Sequence, residues 1–298
     1  MRANIIIGGM IIVILLASVI FTFASPTVLG PLIKFEEDKA KVTRTYSFTS
    51  DDAPGVDYIN LNFTVKAGGI DINFTDDSSL IYMFVFKQDE GATKPSIENI
   101  TFDSKLLVNV MAESGDVKVT FGNNYIYNGT LRVSLGGITV KLSNYSNIEF
   151  FDLAAVYAGG VSVDVEDDAS FDHLNIRVNA GGIMMHIGAK TLEKNSSISA
   201  RVELGGIVVD SIPKGTSLGS RLKAFADIGG IYLNPGNYTV ISQTVNRVEI
   251  GTENYPTAPI KLDIELFTGL GGATINQPFF LAFPTSFSQE ITARYFLE

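Results

Sequence analysis

Beyond residue 60 the chain alternates apolar and polar residues, and two adjacent glycines interrupt the alternation at almost regular intervals. Counting back from the first glycine of each pair, apolar residues stand five, three and one places before it. They are Leu131, Val133 and Leu135; Ala154, Val156 and Ala158; Ile176, Val178 and Ala180; Ala200, Val202 and Leu204; and Ala224, Ala226 and Ile228. Two, four and six places after it stand Ile70, Ile72 and Phe74; Val117, Val119 and Phe121; Ile138, Val140 and Leu142; Val161, Val163 and Val165; and Ile183, Met185 and Ile187. A period of two over so many segments predicts strands with one buried face. No helical period follows the N-terminal apolar run.

The pairs begin at Gly68, Gly136, Gly159, Gly181, Gly205, Gly229 and Gly271, with Gly115-Asp116 as a variant. The steps between them are 47, 21, 23, 22, 24, 24 and 42 residues, one or two units of 21 to 24. A unit that short buries its apolar face only by stacking on others of its kind. Glycine, lacking Cβ, suits a corner where backbones approach closely, and Gly182 is expected at such a corner. The prediction is an all-β, single-stranded β-solenoid, right-handed and β-helix-like. It has about ten rungs of 21 to 24 residues if Gly91 and Gly251 mark two further rungs. A β-sandwich would alternate too, but gives no reason for glycine pairs at this interval. A transmembrane barrel would need an apolar outer band with aromatic girdles, which the pattern lacks.

Ile5 to Ala24 is apolar apart from Ser18 and Thr22, the length of a membrane-crossing helix. A cleaved secretory signal ending near Thr22-Phe23-Ala24 is the competing reading, but its apolar stretch is ordinarily shorter. A prepilin-type leader is another. Arg2 precedes the run, which favours an inside N-terminus. Seven Asn-x-Ser/Thr sequons follow, at Asn62, Asn73, Asn99, Asn128, Asn144, Asn195 and Asn237, more than chance supplies. The expected organisation is a membrane anchor over 1–33, a linker and N-terminal cap over 34–60, the repeat domain over 61–276 and an apolar C-terminal cap over 277–298. The chain is then a single-pass protein of the cell membrane, its bulk extracytoplasmic.

The form x-Gly-Gly-Ile-x-apolar, with Ser114-Gly115-Asp116-Val117 as its Gly-Asp variant, resembles the toastrack, or adhesin-type, repeats of prokaryotic envelope proteins. That group includes the LiaF- and LiaG-like proteins. The resemblance runs from about Phe63 to Asn276. It implies a right-handed β-solenoid held by an N-terminal segment, and no catalytic residues. This chain departs from the common form by preferring Gly-Gly to Gly-Asp.

Composition narrows the function. With 32 acidic against 22 basic residues the net charge is -10, which disfavours nucleic acid as a partner. Cysteine is absent, which removes thiolate chemistry and disulfides. Gly215-Thr216-Ser217-Leu218-Gly219 spells a nucleophile elbow, but that device needs a helix after the serine, and none is predicted. The acidic run Asp164 to Asp168, with Asp172, offers oxygens to calcium without the spacing of a calcium loop.

Two outward rows are more specific. Five places after each first glycine stand Lys141, Asp164, His186, Asp210 and Asn234, so Asp164, His186 and Asp210 become neighbours if the rungs stack in order. They are the candidate metal or acid–base residues, set against a plain charge ladder. Four places before the glycine stand Arg132, Arg177 and Arg201, which suit cross-strand pairing or an acidic glycan. No cofactor is called for. The leading expectation is a non-enzymatic adhesin-like or envelope-sensing module. Its partners are the membrane, through the N-terminal helix, and a glycan or an envelope protein. The alternatives are a β-helix carbohydrate-active enzyme and a structural subunit of a surface filament or coat.

Overall fold

The structure is a computed structural model, and it describes residues 40–213, 215–236 and 238–276. The expected membrane anchor, the C-terminal cap and the Asn237 sequon lie outside the described residues. Among the described residues no helix is long and apolar enough to cross a membrane.

The all-β expectation holds, as one largely parallel sheet of fourteen strands among the described residues. Long strands bent at glycine form its body. These are β2 (Tyr58–Phe74), β7 (Ile126–Leu142), β8 (Asn147–Val165), β9 (Ser170–Ile187), β10 (Ser196–Val209), β11 (Leu218–Leu233) and β14 (Ile260–Ile275). β5 (Lys105–Ser114) and β6 (Asp116–Phe121) are the two halves of one more, divided at Gly115. Glycine pairs with glycine across the stack: Gly68 with Gly136, Gly136 with Gly159, Gly159 with Gly181, Gly181 with Gly205. Shorter strands pair antiparallel around this body. They are β1 (Lys41–Thr49), β3 (Leu80–Asp89), β4 (Ser96–Phe102), β12 (Thr239–Gln243) and β13 (Arg247–Gly251).

The corner has a steric cause. Gly181 takes φ 140°, and a Cβ there would collide with the carbonyl oxygen of Gly159 in the neighbouring strand. The constraint falls on the first glycine of the pair, Gly181, and not on Gly182.

Four expectations are corrected. The stack does not follow chain order. β2 lies between β5/β6 and β7, and β14 lies between β10 and β11. The first and last glycine pairs are thus interior, and antiparallel strands take the outer places. Second, eight parallel corners exist among the described residues instead of about ten. Gly91 sits in a turn after β3, and Gly251 ends β13; both adjoin antiparallel strands that need no corner.

Third, the residue just before each glycine pair faces out: Leu135, Leu204 and Ile228 are 52%, 48% and 66% exposed. Inward positions three before and two after the first glycine are five apart. Strict alternation spans only even separations, so one step must slip, and the corner takes it. Fourth, relative to β7 the strand β8 carries two extra residues ahead of its corner, one at Glu149 and one between Ala155 and Ala158. Leu153 and Ala155 join the core, Ala154 moves to the outward row, and Tyr157 is exposed.

Candidate recognition face

Because the strands stack in register, equivalent positions line up as rows perpendicular to them. Four places before the corner, one row runs Thr64, Arg132, Ala154, Arg177, Arg201, Phe267, Phe225 and on to Arg247 of β13. The neighbouring row runs Asn62, Thr130, Asp152, Asn175, Ser199, Glu265, Lys223 and Glu249. Alternation turns both rows away from the core, so together they make one broad outer face.

The middle of this face is internally neutralised. Asp152, nearly buried, accepts from Asn175 at 2.8 Å and from Arg177 Nε at 3.1 Å, and the other carboxylate oxygen pairs with Arg177 Nη2. At the β11 end the chemistry changes to aromatic. The Phe225 and Phe267 rings lie 5.6 Å apart and inclined by 31°. The Arg201 guanidinium sits 4.1 Å from the centre of the Phe267 ring, and that of Arg247 5.4 Å from the centre of Phe225. The result is a stack of four planar groups, cation, ring, ring, cation. It borders a shallow open depression of about 500 Å³ that Lys223, Glu249 and Glu265 also line.

Beside the stack, Arg221 donates to Asp263 at 2.9 Å and lies 4.9 Å from the Tyr255 ring centre. Burial pulls the Arg221 guanidinium down, but the hydrogen bond and charge of Asp263 outweigh it, and the net direction is up. Burial raises the Tyr255 hydroxyl, and Asp263 adds to the shift. The Glu203 carboxylate, 2.5 Å from Arg201 Nε, raises that guanidinium as well.

The second candidate row has the predicted neighbours over part of its length. Lys141 pairs in register with Asp164, and Asp164 with His186. His186 Nδ1 lies 2.8 Å from both carboxylate oxygens of Asp210. Asn234 does not follow, because β14 intervenes and Asn276 stands between Asp210 and Asn234. Lys141 turns to Glu166 at 2.8 Å, which holds its ammonium above the ordinary value. The row therefore resolves into separate pairs. Among the described residues no three His, Asp or Glu side chains form a metal-binding group.

The acidic run disperses too. Glu166 pairs with Lys141, Asp167 accepts from the Lys190 backbone at 2.5 Å, and Asp172 pairs with Lys194 at 2.7 Å. Ser217 leads into strand β11 and not into a helix. His173 is exposed, 2.5 Å from Ser197 Oγ. Of the sequons, Asn144 is exposed in a turn and Asn195 is exposed in a loop, accepting from the Lys261 backbone. Asn62, Asn73, Asn99 and Asn128 lie within strands.

Phe225, Phe267, Lys223 and Arg247 were not among the sequence candidates. The signal for the two rings was present, since they stand four places before Gly229 and Gly271, in the row that holds Arg132, Arg177 and Arg201.

No family model matches this sequence, and no curated protein matches it. The fold is similar to that of a "putative cell adhesion protein" from Clostridium sporogenes, with a TM-score of 0.51. Identity is 14%, over 79% of this chain and 99% of that one. A "putative adhesin" from Bacteroides fragilis and one from Parabacteroides distasonis align over 81% and 80% of this chain. Both are 10% identical, and with TM-scores of 0.28 neither overlay bears on the fold.

Proposed function

We propose that this protein is a non-enzymatic, adhesin-like binding module. It is a right-handed β-solenoid, held at the cell membrane by its N-terminal segment and working outside the cytoplasm through its broad outer face. The observation that carries the reading is the register of that face. Rows of polar, charged and aromatic side chains run across seven parallel strands with only a shallow open depression at the β11 end, which suits a surface-binding role better than enclosed chemistry. The right-handed sense is the one that parallel crossover connections take. The fold shared with a protein described as a cell adhesion protein agrees with this role.

The catalytic alternative is weaker on geometry. Asp164 and Asp210 flank His186 on successive strands, and Asp210 is already engaged by the imidazole, which leaves no pair of free carboxylates in this row.

Two measurements on the full-length chain test the reading. Protease added to intact cells should degrade the repeat body, and complete protection would overturn the extracytoplasmic placement. The purified chain should bind cell-envelope fractions saturably and release no reducing ends from their polysaccharides. Release that disappears in Asp210→Asn would replace this reading with the enzymatic one.

A further inference from the structure

We propose that the four-member stack at the β11 end is a binding site for an acidic glycan built of uronic acid residues. The proposal rests on the reading of the outer face as the recognition surface, and it names the ligand class.

The stack prepares its cations for a carboxylate. A guanidinium laid against a ring gives up much of its rotational freedom, while its in-plane N–H groups stay available for a bidentate contact. Arg201 and Arg247 are held in this way at the two ends. Arg201 already has Glu203 as a partner. Arg247 and Lys223 form no ion pair among the described residues, whereas Arg177, Arg201 and Arg221 each do. Both are exposed: Lys223 lies in register between two carboxylates, and Arg247 ends its row with the Phe225 ring as its cross-strand neighbour.

The acceptors decide the class. Glu249 and Glu265 stand on either side of Lys223 in the adjoining row, and Ser199 follows Glu265. A bare sulfate or phosphate dianion would bring charge for the cations but no hydrogen-bond donor for these two carboxylates. A neutral sugar would use them through its hydroxyls but leave the exposed Arg247 guanidinium, which has a ring and not a carboxylate across from it, without a counter-charge. A uronic acid supplies both needs, a carboxylate for the cations and hydroxyl donors for the carboxylates. The two half-buried rings add apolar edge for the sugar's C–H faces.

Geometry requires a chain and not a single sugar. Arg201 and Arg247 are three strand spacings apart, about 14 Å, and the depression between them is open. One monosaccharide does not reach both cations; an oligomer with a carboxylate on every residue does.

The test uses the full-length chain with a galacturonate decamer and a glucuronate oligomer. The controls are the fully methyl-esterified decamer and a neutral maltooligosaccharide. Titration calorimetry should show binding of at least one acidic oligomer that weakens as salt is raised. It should weaken at least tenfold on esterification, and at least tenfold in the Arg247→Ala/Lys223→Ala variant. Lys118→Ala, exposed on β6 and outside both rows, should bind as wild type does. Equal binding of the esterified or neutral oligomer overturns the acidic class. Unchanged affinity in a double variant of wild-type melting temperature overturns the site. If neither acidic oligomer binds, the ligand assignment falls, and envelope binding measured in parallel separates that failure from failure of the adhesin-like reading: envelope binding that persists leaves only the glycan claim lost.

Discussion

The two ends of the stack use the same corner and the same register, yet they place their aromatic residues on opposite sides of the sheet. Around β2, β3 and β7 the rings are inside. Phe63, Phe84, Phe86, Phe121 and Tyr127 are fully buried, with Phe63 and Phe84 edge-to-face at 5.2 Å and Phe121 and Tyr127 4.5 Å apart. Around β10, β14 and β11 the buried apolar positions hold aliphatic residues, among them Ile198, Ala200, Leu222, Ala224 and Ile264, and Phe225, Phe267 and Tyr255 stand outside against guanidinium groups. The N-terminal end has the room because β3 packs antiparallel on β6 and brings Phe84 and Phe86 inward on alternate positions. At one end the aromatic residues fill the core, and at the other they stand half-exposed on the outer face. One backbone repeat serves both uses because the strand period alone sets which face a side chain takes.

The largest predicted effect concerns what the two ends share. Gly181→Val combines a φ that a β-branched residue does not adopt with overlap on the Gly159 carbonyl. The loss should be about 4 kcal/mol or more by denaturant unfolding. A loss below about 1 kcal/mol would mean that the corners are not locked across neighbouring strands.

Phe63→Ala sharpens the contrast from the buried side. It removes a fully buried ring and should cost about 3 to 5 kcal/mol. Phe225→Ala removes a half-exposed ring, and its cost should stay near 1 kcal/mol or less. Equal costs at the two positions would erase the distinction between the ends.

Tyr127→Phe is a smaller change inside the aromatic end. The hydroxyl donates to the carbonyls of Ile81 at 2.8 Å and Gly122 at 3.1 Å, so its removal should cost about 1 kcal/mol. Burial raises the Tyr127 hydroxyl well above the ordinary tyrosine value. A raised folded-state pKa gives a contribution that is complete below the unfolded value of about 10 and is lost as pH climbs toward the folded one. Alkaline unfolding should therefore be less steep in Tyr127→Phe than in wild type. Identical alkaline profiles would show that this hydroxyl is not the buried group.

The smallest effect lies on the surface. Asp77 receives hydrogen bonds from the Ser79 hydroxyl at 2.7 Å and from the Ser79 and Leu80 backbones, and these lower its carboxyl below the ordinary value. Its slight contribution should be present above the unfolded carboxyl value and fade as pH falls through the folded one. Asp77→Asn should remove that acid-side slope, which comparison of melting temperatures between pH 5 and pH 3 would detect.

Much of this was legible from residue types. The period-two pattern marked the strands, and the glycine interval marked the corners. The row position of Arg177 and Arg201 was readable by counting from the nearest glycine, and so was the contact of His186 with Asp210. What could not be counted was adjacency at the two ends. Every rung has the same inward and outward order, so Gly271 matches Gly205 and Gly229 equally well, and nothing local says that β14 enters between them. Arg247 was hidden for a related reason, since β13 is antiparallel and has no glycine pair to align on.

The sequence by itself determined the period, the corners at the glycine pairs and the outward identity of side chains away from the corners and the β8 irregularity, because these follow from backbone sterics and from the exclusion of apolar groups from water. Only the tertiary structure decided which strands lie side by side. That choice is made by the connections and by the hydrogen-bonding of strand edges, and it is the choice that assembles Arg201, Phe267, Phe225 and Arg247 from four strands into one row.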